Sequence, residues 1–404
     1  MDHYELQRFY LIISKKMKAY LDYYKKNNII PVSQDISNLK KHFGRRTALY
    51  MQCGIPPYLI KNKDVLEIGP GTGDNAIFTN YMQPSNYMLI DGNPKSIKST
   101  YEKLSNYFKN ISNCDFVEQD ILDFNIDKLF DIVLCEGLIS HQQKPKKFLK
   151  RISRFVKPGG ILLITCVDHV SFLSEMLRRV IGTLLVNNKV SINENVKILR
   201  NYFHSHLSQL NGMSRRIDDW IYDTILQPFC KTTLLSIEDS IKILYNDFEV
   251  YGMSPNFFID WRWYKQINFD YMFNQLVIEA YKKNIHTFLD YRYEFNFTNN
   301  IELNAKLLKK ARVIFNICMA VKSKSDNKKI AILLKLLIDF NKLVEKFSRP
   351  TYDSIQDFTN GLLLYLDGKS FPEKMNNFSL WFGRGQQYIS FIRKDNNELS
   401  CLSK

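Results

Sequence analysis

From residue 64 onward the chain alternates between two hydrophobic periods. Short apolar runs recur at intervals of roughly 20–30 residues: "DVLEIG" (64–69), "YMLID" (87–91), "CDFVEQD" (114–120), "FDIVLCE" (130–136) and "GILLITC" (160–166). Between them lie amphipathic stretches such as "PKSIKSTYEKLSNYFKN" (94–110) and "KPKKFLKRISRFVKPGG" (144–160). Strands alternating with helices predict a parallel sheet covered on both faces. The "KPGG" at 157–160 reads as a helix stop and a tight turn into the next strand. Upstream, residues 4–28 and 36–52 carry apolar and aromatic residues at helical spacing, predicting two helices before the first strand.

After Cys166 the alternation lapses. Residues 168–247 read as helices, "FEVYGMSP" (248–255) as another strand, and 266–366 again as largely helical. Near the end, "GRGQQYISFIRK" (383–394) carries apolar residues on both faces of a strand: Tyr388 and Ile392 on one, Ile389 and Phe391 on the other. Such a strand belongs inside a sheet rather than at its edge.

The first strand runs into "VLEIGPGTGDN", with glycines at 69, 71 and 73 and a helix start at "DNAIFTNYM". Glycine lets a backbone turn tightly and approach a ligand without a Cβ in the way. A helix N-terminus beside it offers free N–H groups. Asp91 closes the next strand, 22 residues beyond Gly69, where an acid accepts hydrogen bonds from ribose hydroxyls. A dinucleotide site requires G-x-G-x-x-G, whereas here the spacing is G-x-G-x-G, and Asp74 stands where the last glycine would be. An acid there repels a pyrophosphate. A nucleoside without phosphates, such as S-adenosylmethionine, meets no such objection, and Glu67 suits a cationic ligand.

With these motifs the chain resembles the class I S-adenosylmethionine-dependent methyltransferases. The residues that carry the resemblance are "LEIGPGTG" (66–73), "LID" (89–91), "EQDIL" (118–122), "FDIVLCE" (130–136) and "FVKPGGILLIT" (155–165), covering roughly 65–170. The resemblance implies an α/β fold: a Rossmann-like seven-stranded sheet whose last strand is antiparallel and slots between the fifth and sixth. To this the chain adds N-terminal helices and a large helical insertion. It also implies that Glu67, Gly69, Gly71 and Gly73 surround the methionine part of the cofactor. Asp91, with Gly92 beside it, would hold the ribose, and Asp120 with Ile121 would flank the adenine.

The expected division is an N-terminal helical lid (1–60), a methyltransferase core (61–255) holding a helical insertion (168–247), a helical acceptor domain (256–379) and the final core strand (380–396). The alternative places the seventh strand in "FFIDWRWYK" (257–265) and makes the remainder a separate helical domain.

Methyl transfer from a sulfonium is an in-line displacement, so the protein mainly aligns the acceptor. A hydroxyl acceptor also requires a base. Glu136 and His141 follow the fourth strand at the ligand edge, and both are catalytic candidates. Glu136 is also a candidate contact for the cofactor's amino group. Each has a plainer reading, His141 as a loop or cap residue. Asp168 and His169 follow the fifth strand and are weaker candidates. His204 and His206 form an H-x-H, but on a helix such positions point apart, which argues against a metal. "DWRWYK" (260–265) and Trp381 read first as core, second as an acceptor pocket or ring-stacking surface. Arg45 and Arg46 read as a clamp on an acidic acceptor or on the cofactor carboxylate, or as a solvated helix start.

The formal net charge of +15 invites a polyanion partner. Its distribution tempers that. Residues 65–166 are near neutral, with 12 Lys/Arg against 11 Asp/Glu, and the excess sits on the flanks. The position after the fourth strand lacks the [DN]-P-P-[YF] of base-amine methylation, and no Pro-Cys pair of a cytosine nucleophile occurs. The expected acceptor is therefore a small molecule, a glycan or a lipid-linked group. An RNA or protein acceptor docked on the basic flanks is the alternative. Seven scattered cysteines without a C-x-x-C pair favour a reducing compartment. The N-terminus does not read as a signal peptide, and no run approaches the roughly 18 apolar residues of a membrane span, so the expected location is cytoplasmic.

Overall fold

The computed structural model describes residues 19–187, 189–228, 234–266, 273–292 and 300–395. Two compact units divide the chain: 1–167, 228–281 and 387–404 in the first, 168–227 and 282–386 in the second. The sequence had suggested two separate helical insertions at 168–247 and 256–379. Instead, helical segments from both regions join one unit, and 228–281 returns to the first. Residues 1–18 of the expected lid lie outside the described residues.

Among the described residues of the first unit, seven strands form one sheet in the order β3-β2-β1-β4-β5-β7-β6. These are β1 (Asp64–Ile68), β2 (Asn86–Asp91), β3 (Cys114–Glu118), β4 (Phe130–Cys135), β5 (Val156–Cys166), β6 (Phe248–Ser254) and β7 (Gln387–Arg393). The first five pair in parallel, with Glu67 opposite Leu89 on one side and Leu134 on the other. β7 runs antiparallel between β5 and β6, as the doubly apolar pattern requires. Ile389 and Phe391 are fully buried, and the "FFIDWRWYK" alternative falls away. β5 begins before the expected turn: "KPGG" lies inside its span, and the register against β4 shifts between Phe130 and Ile132 to absorb it.

The helices α1 (Ala19–Asn27), α2 (Leu39–Gln52), α3 (Asp74–Tyr81), α4 (Pro94–Tyr107) and α5 (Pro145–Ile152) belong to this unit. Local chemistry sets their starts. The Asn38 side chain caps α2 by accepting from the Lys41 N–H at 2.9 Å. Asn93 does the same for α4, whose first residue is Pro94. The buried stripe of α2 is polar, consisting of His42, Arg46 and Tyr50 at four-residue intervals. Its partners are described below.

The second unit is helical, with long helices at Leu173–Leu185, Ile192–Leu207, Ile301–Ala320, Asn327–Val344 and Arg349–Leu366. Trp381 lies fully buried in it, and its indole N–H donates to the Leu289 carbonyl at 2.8 Å. That residue is core, as its first reading held. No helix among the described residues is long and apolar enough to cross a membrane.

Candidate active site

The carboxyl ends of β1 to β4 lie along one edge of the sheet. β1 leads into the glycine loop, which needs its glycines for two reasons. Gly71 and Gly73 have φ of +61° and +81°, the left-handed region that side chains rarely adopt. A Cβ on Gly73 would also lie 2.8 Å from the Thr100 Cα of α4. That helix fastens the loop, with Ser99 Oγ donating to the Thr72 carbonyl at 3.2 Å and Thr100 Oγ1 to that of Gly71 at 3.3 Å. Gly69 N–H bonds the Ile90 carbonyl at 2.8 Å, tying the loop to β2.

Asp74, read in the sequence as a pyrophosphate repellent, is buried and already engaged. It accepts from the Gln34 N–H and from Thr72 Oγ1, each at 2.7 Å, and pairs with Lys103. Its charge is balanced by neighbours, so the spacing of the glycines, rather than the acid, separates this loop from a dinucleotide site.

Asp91 ends β2 and accepts from the Asn93 N–H at 2.8 Å. Burial pushes its carboxyl up to about 6, against hydrogen bonds from the Asn93 and Gly71 backbone and from Ser96. Asp120, beyond β3, accepts from the Leu122 N–H at 2.9 Å, and the adjoining Ile121 is buried. A Cβ on Gly92 would come 3.6 Å from the Asp120 Cα, so the two loops touch here.

Below the glycine loop lies a buried polar cluster. Glu67 accepts from the Tyr87 hydroxyl. Burial pushes Glu67 up to about 7; the Tyr87 hydrogen bond and Arg46 oppose that, and Glu136 adds to it. Glu136 itself is gripped by Arg46, Nη1 to Oε2 at 2.7 Å and Nη2 to Oε1 at 2.6 Å, and Tyr50 donates to Oε1 at 2.8 Å. Burial alone would raise Glu136. Arg46, with Tyr50 and Tyr388 donating, outweighs it and holds the carboxyl below its usual range. Arg46 is thus neither solvated nor presented to a ligand carboxylate. The sequence carried a signal for it, the four-residue spacing of His42, Arg46 and Tyr50, but nothing that named Glu136 as partner.

Sequence reasoning named residues 1–60 as a helical lid but not the contacts that Tyr20, Leu21, Ile29 and Val32 make at this edge. Tyr20 of α1 accepts from Gln142 Nε2 at 3.1 Å, and its ring centroid lies 6.0 Å from that of His141. Burial raises the Tyr20 phenol, with the Asp91 and Asp120 carboxylates close enough to add to it. Leu21 approaches to 3.0 Å from where a Gly92 Cβ would be, and Val32 to 2.5 Å from that of Gly71. The Ile29 carbonyl accepts from Asn93 Nδ2 at 3.3 Å. The N-terminal segment therefore meets the ends of β1, β2 and β4. His141 sits at the end of a short 3-10 turn, Ile139–His141, that follows β4. So Glu67, the glycine loop, Asp91, Asp120, Glu136 and His141 do converge on one edge.

The weaker candidates are engaged with other partners. Asp168 is buried and accepts from the Val170 and Ser171 N–H groups at 2.7 and 2.8 Å, shaping a turn of the second unit. The His169 ring meets Phe315 edge-on at 5.0 Å. His204 is exposed and His206 buried among aromatic rings. Among the described residues no group of three or more His, Cys, Asp or Glu could hold a metal ion.

Residues 59–210 match the family model described as a methyltransferase domain. Together with the strand order and the antiparallel β7, the match identifies a class I S-adenosylmethionine-dependent methyltransferase domain. The ubiquinone biosynthesis O-methyltransferase of Rickettsia typhi is 28% identical over 111 residues, covering 27% of this chain and 43% of that protein. The tRNA U34 carboxymethyltransferase of Nautilia profundicola is 28% identical over 120 residues, 27% of this chain and 36% of that protein. The chain thus spans less than half the length of either relative. The structure of PKMT2 from Rickettsia typhi in complex with AdoHcy aligns with TM-score 0.41 and 17% identity, over 59% of this chain and 49% of that one.

Proposed function

We propose that this chain transfers the methyl group of S-adenosylmethionine to an oxygen of a small-molecule, glycan or lipid-linked acceptor. The observation that carries the reading is the convergence of the glycine loop, Asp91, Asp120 and His141 on one sheet edge. The residues present suit the cofactor. Three glycines with positive φ hold the loop in a tight turn that residues with side chains rarely adopt, the backbone such a ligand loop needs. Asp91 and Glu67 are carboxyls raised by burial without a full counter-charge, suited to ribose hydroxyls and to an ammonium respectively.

When bound, S-adenosylmethionine supplies an activated methyl electrophile. The chain's own residues then do the following. Asp91 accepts from the ribose, and Asp120 with Ile121 borders the adenine. Glu67 faces the cationic amino-acid end. His141 takes the proton of the acceptor hydroxyl at a ring nitrogen. Glu136, held ionised by Arg46, is a poor proton acceptor at neutral pH. Its part is to fix the floor of the site, and through Arg46 to hold α2 against β4. α1 and residues 28–34 cover the edge and exclude water.

The basic flanks and the tRNA-modifying relative favour a second reading, an RNA acceptor. Incubation with methyl-labelled S-adenosylmethionine and extracts fractionated into lipids, small hydroxylated molecules, protein and RNA separates the two. Label in the lipid or small-molecule fraction is the expected result. Label in RNA alone, or in no fraction, overturns it.

A further inference from the structure

From its aromatic character alone, "DWRWYK" (260–265) reads first as core. The structure corrects that. Residues 259–266 are exposed without a break, and four of them are large and apolar: Ile259 (48% exposed), Trp261 (84%), Trp263 (60%) and Tyr264 (69%). A lone exposed apolar residue needs no explanation, whereas four in six positions, two of them tryptophan, make a patch that does.

The patch is presented on a fixed root. Phe257 is buried, with its ring 6.1 Å from that of Tyr281, and Phe258 meets Phe273 edge-on at 5.1 Å. The loop above that root holds its rings outward. Its position in the fold also matters. β7 is antiparallel to both β5 and β6, so β6 runs parallel to β1–β5 and its carboxyl end, Ser254, lies on the edge that bears the glycine loop, Asp91 and Asp120. The segment beginning at Pro255 leaves from that same edge.

We infer that residues 259–266 form a docking surface for an anionic lipid bilayer. Tryptophan and tyrosine prefer the headgroup boundary, where an apolar ring and a polar tip are both satisfied. Flanking cations add attraction to anionic headgroups. Here Lys265 stands over the Trp263 and Tyr264 rings, 5.2 and 5.8 Å from their centroids. Asp260 is neutralised by Arg262 at 2.7 Å, which leaves the loop's net charge positive, in a chain of formal charge +15. Stacking on nucleic-acid bases fits less well. Trp263 and Tyr264 stand at 76° to each other and offer no parallel slot, their faces are shared with Lys265, and Ile259 has no ring. The inference concerns binding and stands apart from the catalytic reading.

The test uses the full chain and vesicles of phosphatidylcholine mixed with phosphatidylglycerol, with phosphatidylcholine vesicles as reference. The chain has four tryptophans, and Trp220 and Trp381 are buried, so a change in emission on vesicle binding belongs to Trp261 and Trp263. Co-sedimentation with the mixed vesicles, a blue shift in emission and weaker partition onto pure phosphatidylcholine are expected. The double variant Trp261→Ser, Trp263→Ser should lose partition by about tenfold or more, with circular dichroism and thermal midpoint unchanged because both side chains are exposed. Lys265→Glu should reduce the preference for the anionic vesicles. The inference is overturned if the chain does not partition, or if the double variant partitions like the parent. Capture by a single-stranded RNA oligonucleotide through the same two tryptophans, in place of the vesicles, overturns it as well.

Discussion

Arg46 and Glu136 are 90 residues apart in sequence and meet as a two-pronged ion pair, both guanidinium Nη atoms on both carboxylate oxygens at 2.6–2.7 Å. The pair joins α2, ahead of the first strand, to the end of β4. Both groups are largely removed from water, so neither tolerates loss of the other.

Arg46→Met is therefore expected to cost about 3–5 kcal/mol, because it strands a buried carboxylate. Glu136→Gln should cost a comparable amount for the converse reason. The double variant Arg46→Met, Glu136→Gln should be clearly less destabilised than the sum of the two. Urea unfolding of the four proteins measures this, and additive losses would show that the pair is not coupled.

Gly71 tests whether the N-terminal segment closes over the site. A Cβ there would lie 2.5 Å from Val32 Cγ2, a side-chain tip that can be shortened. Gly71→Ala should weaken cofactor binding, and adding Val32→Ala should restore part of it, the residue being the strain of φ +61°. Gly73→Ala meets backbone instead, so no side-chain truncation relieves it, and a loss of about 1–3 kcal/mol in stability is expected. Calorimetric titration with S-adenosylhomocysteine and thermal melts separate the two cases.

Glu67 and Asp91 give binding and stability opposite pH slopes. Their folded carboxyls titrate at about 7 and about 6, above the ordinary 4.5 and 3.8. Between those values the folded apo state holds more protons than the unfolded one, so its stability from these groups rises as pH falls. Cofactor binding needs both ionised. Its constant should fall by up to about tenfold per unit below about 7, and more steeply below about 6. Thermal melts across this range, with and without S-adenosylhomocysteine, check both signs.

His141→Ala should slow methyl transfer roughly 10²–10⁴-fold while leaving cofactor affinity within a few-fold. Retained turnover would remove His141 from the proton transfer.

Much of this edge was legible because its signals are local. The glycine spacing, the acid closing β2 and the alternation through Cys166 each sit within a short window, and the two-faced pattern of Tyr388–Ile392 located β7 across a long helical interval. What was hidden depends on which distant segments meet. Tyr20 finds Gln142 across 122 positions, and Arg46 finds Glu136 across 90. Composition and period record that a side chain is polar or apolar, not which partner it has. The joining of 168–227 with 282–386 was concealed for the same reason. Trp261 and Trp263 misled in the other direction, since aromatic character predicts burial and these rings are exposed.

Cofactor recognition at the β1–β2 edge is tested most directly by isothermal titration of S-adenosylhomocysteine into the parent chain and into Asp91→Ala. Saturable one-to-one binding by the parent, weakened at least about tenfold in Asp91→Ala with the fold intact, is the expected result. No binding by the parent, or equal binding by both, would contradict it.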